Sequence, residues 1–467
     1  MEENKELKEL KDKLLMKRKN VYNRVSEETV KASYDFAEKY KKFLDHAKTE
    51  REAVVQAVEI LKNNGFKEYK KGGKFKAGDK VYKVNRGKAV LIAVIGKQPI
   101  GEGVKICAAH IDSPRLDLKQ NPLYEDTELA LFKTHYYGGI KKYQWTAIPL
   151  SLHGVIVKAD GTKVTVAIGE DENDPVFCVT DLLPHLGNEQ MSRPASKVVK
   201  GEALNILIGS RPFKDDEESG AVKLNILNIL NEKYGITESD FISAELEAVP
   251  AFKAKDIGFD RSLIGGYGHD DRCCSFPALM AAIDLKTIPQ HTSVTVLTDK
   301  EETGSDGNTG LCSAYLKYFI ADIAEDLGSN GRDVLSASEC LSADVNAAFD
   351  PTYPEVMEKN NSAYINKGVC ITKYTGARGK SGTSDASAEF AGKIRILMDS
   401  NNVVWQTGEL GKVDEGGGGT VAAYIANLNV DTIDMGVPVL SMHAPYEVIS
   451  KLDLYMAYRA FTVFITD

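Results

Sequence analysis

No stretch of this chain approaches the roughly 18 uninterrupted apolar residues that a membrane-spanning helix requires, so no membrane partner is expected. The first residues, MEENKELKELKDKLLMKRKN, alternate charges and lack the apolar core of a secretory signal, which points to a soluble, cytoplasmic protein. The seven cysteines (Cys107, Cys178, Cys273, Cys274, Cys312, Cys340 and Cys370) include no CxxC pair and read as reduced core residues. Positive charge is also short. With a formal net charge of -9, any phosphate-neutralising role would need a local basic patch, and nucleic acid is not expected as a partner. There is no internal repeat, and low complexity is confined to the glycine run 416–419.

What is present is ordinary globular material: 467 residues, 43% hydrophobic and 27% charged, enough for a large core and for more than one domain. Residues 3–64 carry apolar positions at helical spacing among Lys and Glu, an amphipathic cover. Residues 81–94 and 104–109 read as strands, the second buried and followed at once by polar residues. Between about 122 and 250 the texture turns β-rich, with strand-like runs at 148–157 and 163–168 separated by turn signals and a polar, mobile-looking linker at 209–220. After Pro250 an α/β texture resumes, with strands at 293–297, 368–372 and 437–440 and a helix at 274–283. The expected division is 1–121 and 251–467 as a discontinuous catalytic domain, with 122–250 inserted.

Five segments concentrate the chemically useful side chains. In His110-Ile111-Asp112 an extended backbone points both polar groups to one side, so the carboxylate can orient the imidazole. In Gly268-His269-Asp270-Asp271 an aspartate can cap the following helix or bridge two cations through its two oxygens. Glu301-Glu302 follows an apolar strand, which suits one glutamate as a metal ligand and its neighbour as a general base. Asp344 and His443 each follow an apolar segment. Together they supply two imidazoles, three carboxylates and a spare glutamate, which can hold two cations roughly 3.5–4 Å apart. Donors of this kind without thiolate suit zinc, with cobalt or manganese compatible.

The runs AAHIDSPRLDLK, HYYGGIKKYQW, GHDDRCCSF, DKEETGSDG, SADVNAAFDP and VPVLSMHAPYEV, in this order, resemble the aspartyl aminopeptidase family of dinuclear metallopeptidases, especially its bacterial branch. The resemblance implies an α/β fold: a three-layer zinc-peptidase catalytic domain interrupted by a β-rich dimerisation domain. It implies a metal-dependent aminopeptidase that releases N-terminal residues, acidic ones by the family's name, from short peptides. By resemblance His110 and Asp344 hold one metal, Glu302 and His443 the other, and Asp270 bridges them. Glu301 falls at the general base, Asp112 at the residue that orients the first histidine, and His185 at a histidine that reaches a partner's site. Asp271 is left outside the ligand set. The implied assembly is a homo-oligomer, a tetrahedral dodecamer of dimers. Lys373, Arg378 and Lys380 lie in a glycine-containing loop, which is either a solvated basic turn or the source of a cation for an acidic first residue.

Overall fold

The computed structural model describes residues 2–16, 18–214 and 220–467. Its centre is a nine-stranded mixed sheet whose middle strands are Ala89–Val94, Thr292–Thr298, Val104–His110, Glu339–Ser342 and Asp431–Gly436, in that spatial order. Both faces of the strand Val104–His110 are covered. Cys107 and Ala109 join one apolar cluster with Phe36, Leu279 and Phe461, while Ile106 and Ala108 join another with Phe319 and Ile320. Successive side chains of a strand point to opposite faces, so two clusters on alternate residues mean helices on both sides. The helices Glu27–His46, His269–Ile283 and Lys451–Thr466 cover the first face and Tyr315–Asp326 the second.

The helical expectation for 3–64 resolves into Glu2–Leu14, Glu27–His46 and Glu50–Asn63. Ser26 caps the second helix and Thr49, in a capping box with Glu52, starts the third. The apolar stripe of the last two is buried, whereas Leu7, Leu10 and Leu14 of the first are exposed. Residues 81–94 form two strands, Lys80–Asn85 and Ala89–Val94, because Arg86 and Gly87 both adopt left-handed backbone and turn the chain back.

A second, seven-stranded antiparallel sheet takes all its strands from between Arg115 and Pro250, and its first strand, Arg115–Asp126, runs across position 122. It has its own apolar core, including Phe132, Trp145, Ile156 and Leu246. Part of the 209–220 linker, residues 215–219, lies outside the described residues. A third sheet of five short strands carries Leu263–Gly266, Pro438–Leu440 and Glu447–Ser450. Five cysteines are buried as expected, but Cys178, in the short strand Cys178–Val179, is half-buried and Cys312, in the turn before the helix Tyr315–Asp326, is exposed. No helix of the described residues is long and apolar enough to cross a membrane.

Candidate active site

Strand register assembles the site. Val104–His110 runs parallel to Thr292–Thr298 on one side and to Glu339–Ser342 on the other, with Thr298 opposite His110 and Ser342 opposite Ala108. The three strands therefore end at one edge, and Glu301, Glu302 and Asp344 follow directly. The carboxyl edge of parallel strands is where an α/β sheet places its ligands. Asp270 enters from the start of the helix His269–Ile283 and His443 from just beyond Pro438–Leu440. The backbone of Asp270 and Asp271 is non-helical, so the regular helix starts just after them, yet their carboxylates turn to His110 and His443 and to the N–H of His110 instead of capping it.

Asp270 lies between the two histidines. One of its oxygens is 3.0 Å from Nε2 of His110 and the other 3.2 Å from Nε2 of His443. Glu302 approaches Nε2 of His443 at 3.5 Å, and Asp344 and Glu301 approach Nε2 of His110 at 3.8 and 3.9 Å. Both imidazoles thus turn Nε2 inward and are held from behind at Nδ1. For His110 the partners are the carbonyl and carboxylate of Asp112, at 3.1 and 3.3 Å; for His443 the partner is the carbonyl of Gly139, at 2.9 Å. An imidazole fixed at one nitrogen presents the other as a ligand.

Two groups of donor atoms are close enough to hold an ion: His110 with Asp270 and Glu302, and His110 with Asp271 and Asp344. Asp271, left out by sequence reasoning, accepts the backbone N–H of His110 at 3.2 Å through one oxygen, while its other oxygen is buried with no hydrogen-bond partner among the described residues. One carboxylate oxygen of Glu302 is also buried and unpartnered. Such an oxygen carries a desolvation cost that a cation would offset.

The electrostatics agree. Burial, reinforced by the carboxylate of Asp270, pushes Glu302 well up, and burial with Glu301 does the same to Asp344. Burial, with Asp270 and Asp112 adding and the two histidines opposing, raises Glu301 to about 7. Against the effect of burial, the hydrogen bonds His110 donates to Asp112 and Asp270 raise it, and Asp270 with Glu302 raises His443 to about 11. Against the effect of burial, the facing imidazoles hold Asp270 and Asp112 down, so the cluster carries more carboxylates than its two imidazoles can neutralise, and the residues fit a divalent cation.

Sequence reasoning missed Glu447, whose two carboxylate oxygens accept the N–H groups of His443 at 2.7 Å and Asp270 at 3.0 Å. Its signal was a lone acid inside the apolar run Tyr446 to Ile449. A third group of potential donors, Asp271, Cys273 and Cys274, is fully buried behind the cluster. The structure does not bring every candidate together. His185 is exposed on the short turn Pro184–Leu186, and among the described residues no hydrogen bond or ion pair joins it to the cluster. Lys373 and Lys380 both pair with Asp385, at 2.6 and 2.8 Å, and Arg378 lines a small cavity with Tyr374 and Glu409.

An α/β sheet bearing imidazoles and buried carboxylates at its carboxyl edge defines a class, the metal-dependent hydrolases. Comparison with known proteins makes this specific. The family described as aminopeptidase I zinc metalloprotease (M18) matches residues 43–465, and the chain belongs to that family. It is 52% identical over 462 residues to a probable M18 family aminopeptidase 1 of Clostridium acetobutylicum, covering 97% of this chain and 99% of that protein. Its fold matches the crystal structure of an M18-family aminopeptidase from Thermotoga maritima with a TM-score of 0.92 and 44% identity, over 96% of this chain and 99% of that one. A more distant fold match, 21% identical with a TM-score of 0.73 over 92% of this chain and 96% of that one, is S. cerevisiae mApe1, solved as a dodecamer. The chain is therefore an enzyme, a peptidase that removes N-terminal residues from peptides, and its site residues are candidate ligands for its family's zinc.

Proposed function

We propose that this protein is a two-metal aminopeptidase acting on short peptides. The observation that carries the reading is the position of Asp270, with one oxygen at His110 and the other at His443. In this reading His110 and Asp344 hold one divalent ion, Glu302 and His443 the second, and Asp270 is shared. Zinc suits these donors, and cobalt or manganese could replace it. When bound, the ions polarise the scissile carbonyl and acidify a water molecule.

The chain's own residues do the rest. Glu301 accepts the proton of the attacking water on its carboxylate and later releases it to the leaving amine; a pKa raised to about 7 by burial suits that exchange. Asp112 keeps His110 in the tautomer that presents Nε2. The substrate's free α-amino group is cationic and is drawn to the acids of the cluster, which makes the enzyme an exopeptidase. An acidic first side chain is met by Arg378, because Asp385 already engages Lys373 and Lys380.

Residues 1–121 and 251–467 act as the catalytic part and 122–250 as a dimerisation unit, whose sheet begins at Arg115, just ahead of that division. The exposed Leu182, Leu183 and Leu186 beside His185 support burial of that turn against a second copy, where His185 reaches the partner's site. Such dimers assemble in this reading into a tetrahedral dodecamer, and the mApe1 structure, a dodecamer, supports the subunit number. A cytoplasmic location is consistent with seven unpaired cysteines.

The test is a panel of aminoacyl chromogenic substrates, each also supplied N-acetylated, assayed after chelation and refilling with zinc, cobalt or manganese. Activity should return with metal and be confined to free amines, with Asp and Glu substrates ahead. Hydrolysis of the acetylated forms, or activity that survives complete chelation, would sink the reading.

A further inference from the structure

The segment Tyr137-Gly138-Gly139 leaves the end of the inserted sheet's strand Leu129–Tyr137 and lies directly on the catalytic cluster. Three observations place it there. The Tyr137 hydroxyl donates to Oδ2 of Asp112 at 2.8 Å. The Gly139 carbonyl accepts from Nδ1 of His443 at 2.9 Å. A side chain on Gly138, whose φ is +76°, would come within 3.2 Å of a carboxylate oxygen of Glu302, and one on Gly139 within 3.3 Å of His443. Glycine eases this approach, since a Cβ at either position would crowd its neighbour and Gly138 also holds left-handed backbone.

Asp112 is the junction. Besides Tyr137 it accepts the backbone N–H groups of Glu301 and Glu302, each at 3.2 Å, and faces Nδ1 of His110 at 3.3 Å. Its carboxylate therefore sets the position of one imidazole and of the turn that carries both glutamates. Tyr137 is fixed in turn by Arg115, whose guanidinium stacks 3.9 Å from the ring centroid. Arg115 is buried among Asp117 at 2.8 Å and Glu50 and Glu247, each at 3.3 Å. Glu50 belongs to the helix Glu50–Asn63, whereas Arg115, Asp117 and Glu247 belong to the inserted sheet. A planar cation held on several sides and stacked on a ring is a rigid support.

We infer that Tyr137 is a positioning residue for the metal site, acting through Asp112, and that the inserted sheet thereby holds the backs of both histidine ligands. The inference rests on the two-metal reading above. Neither the ligand spacing nor the glutamate pair requires it, since Tyr137 touches no reacting atom. Its consequence is that metal affinity depends on how the inserted sheet sits against the catalytic sheet.

The test uses the full assembled enzyme and Tyr137→Phe, which removes one oxygen and keeps the ring under Arg115. Zinc affinity, measured by competition with a chromogenic chelator, should weaken about 10–100-fold, with kcat falling by a similar factor and KM within about twofold of wild type. Asp112→Asn should be impaired on its own. Adding Tyr137→Phe to it should cost less than about twofold more, because the lost hydroxyl acts only through that carboxylate. Wild-type zinc affinity and turnover in Tyr137→Phe, with two ions bound by the wild type, would overturn this inference alone. Multiplicative losses in the double variant would overturn it too, provided circular dichroism and oligomer size show each variant folded and assembled like wild type. A wild type that binds no zinc would end both this inference and the reading on which it rests.

Discussion

Thr298 and His110 are register partners at the ends of neighbouring parallel strands, and that pairing brings the Glu301–Glu302 turn to the side of a histidine almost two hundred positions away in the chain. The glutamates do not meet His110 through any local sequence relation. They meet because two apolar strands end in line, so a one-residue slip of either strand would turn its inward side chains to the other face.

Glu301→Gln should leave the shape of that turn intact, because the backbone N–H of residue 301 still reaches Asp112. An amide cannot take the proton, so kcat should fall by about 10²–10⁴-fold while zinc content and KM stay near wild type. Steady-state kinetics alongside elemental analysis reads both, and turnover at the wild-type rate would remove Glu301 from the proton-carrying role.

Metal removal should act on stability as well as on rate. A buried cluster short of positive charge folds more stably with cations bound, by an amount set by their affinity. Chelation should lower the thermal midpoint and zinc should restore it. In His443→Ala, which leaves the His110 side of the cluster in place, zinc content should fall towards one ion per chain and the rise in midpoint on refilling should shrink. An unchanged zinc content in that variant would exclude His443 as a ligand.

A pH effect is expected away from the site. His153 is buried between Glu52 of the helix Glu50–Asn63, at 2.7 Å, and Glu170, at 3.1 Å, in the connection after the strand Lys163–Ile168. Burial opposes its charge, but the hydrogen bonds it donates to Glu170 and Glu52 prevail and raise it to about 9 from an ordinary 6.5. The folded imidazole holds its proton more tightly than the unfolded one. The stabilisation, on the order of 3 kcal/mol, is therefore fully present below about pH 6.5 and lost as pH rises through about 9. Denaturation of wild type and His153→Gln across this window should show the wild-type advantage shrinking with pH, and an advantage that is constant or grows would contradict the assignment.

Much of this was legible in the sequence for a plain reason. Strands such as Thr292–Thr298 and Val104–His110 are buried on both faces, so they read as continuous apolar runs, and polar residues at their ends stand out. The alternation of Lys163–Ile168, half-exposed in the second sheet, was equally plain. Arg86 was harder to read, because a left-handed arginine carries no compositional mark and the hairpin it turns looks like one long strand. Glu447 and Tyr137 went unassigned because each works through a partner far away in the chain, His443 excepted.

The chain by itself therefore determined the kinds of donor available, the strands they follow and the family to which their order belongs, since these depend on local composition and spacing. Only the tertiary structure decided that Asp270 stands between the two imidazoles and that the second sheet reaches back to Asp112 and His443. Those relations depend on strand register and on packing between sheets, which are long-range and leave no periodic trace in the sequence.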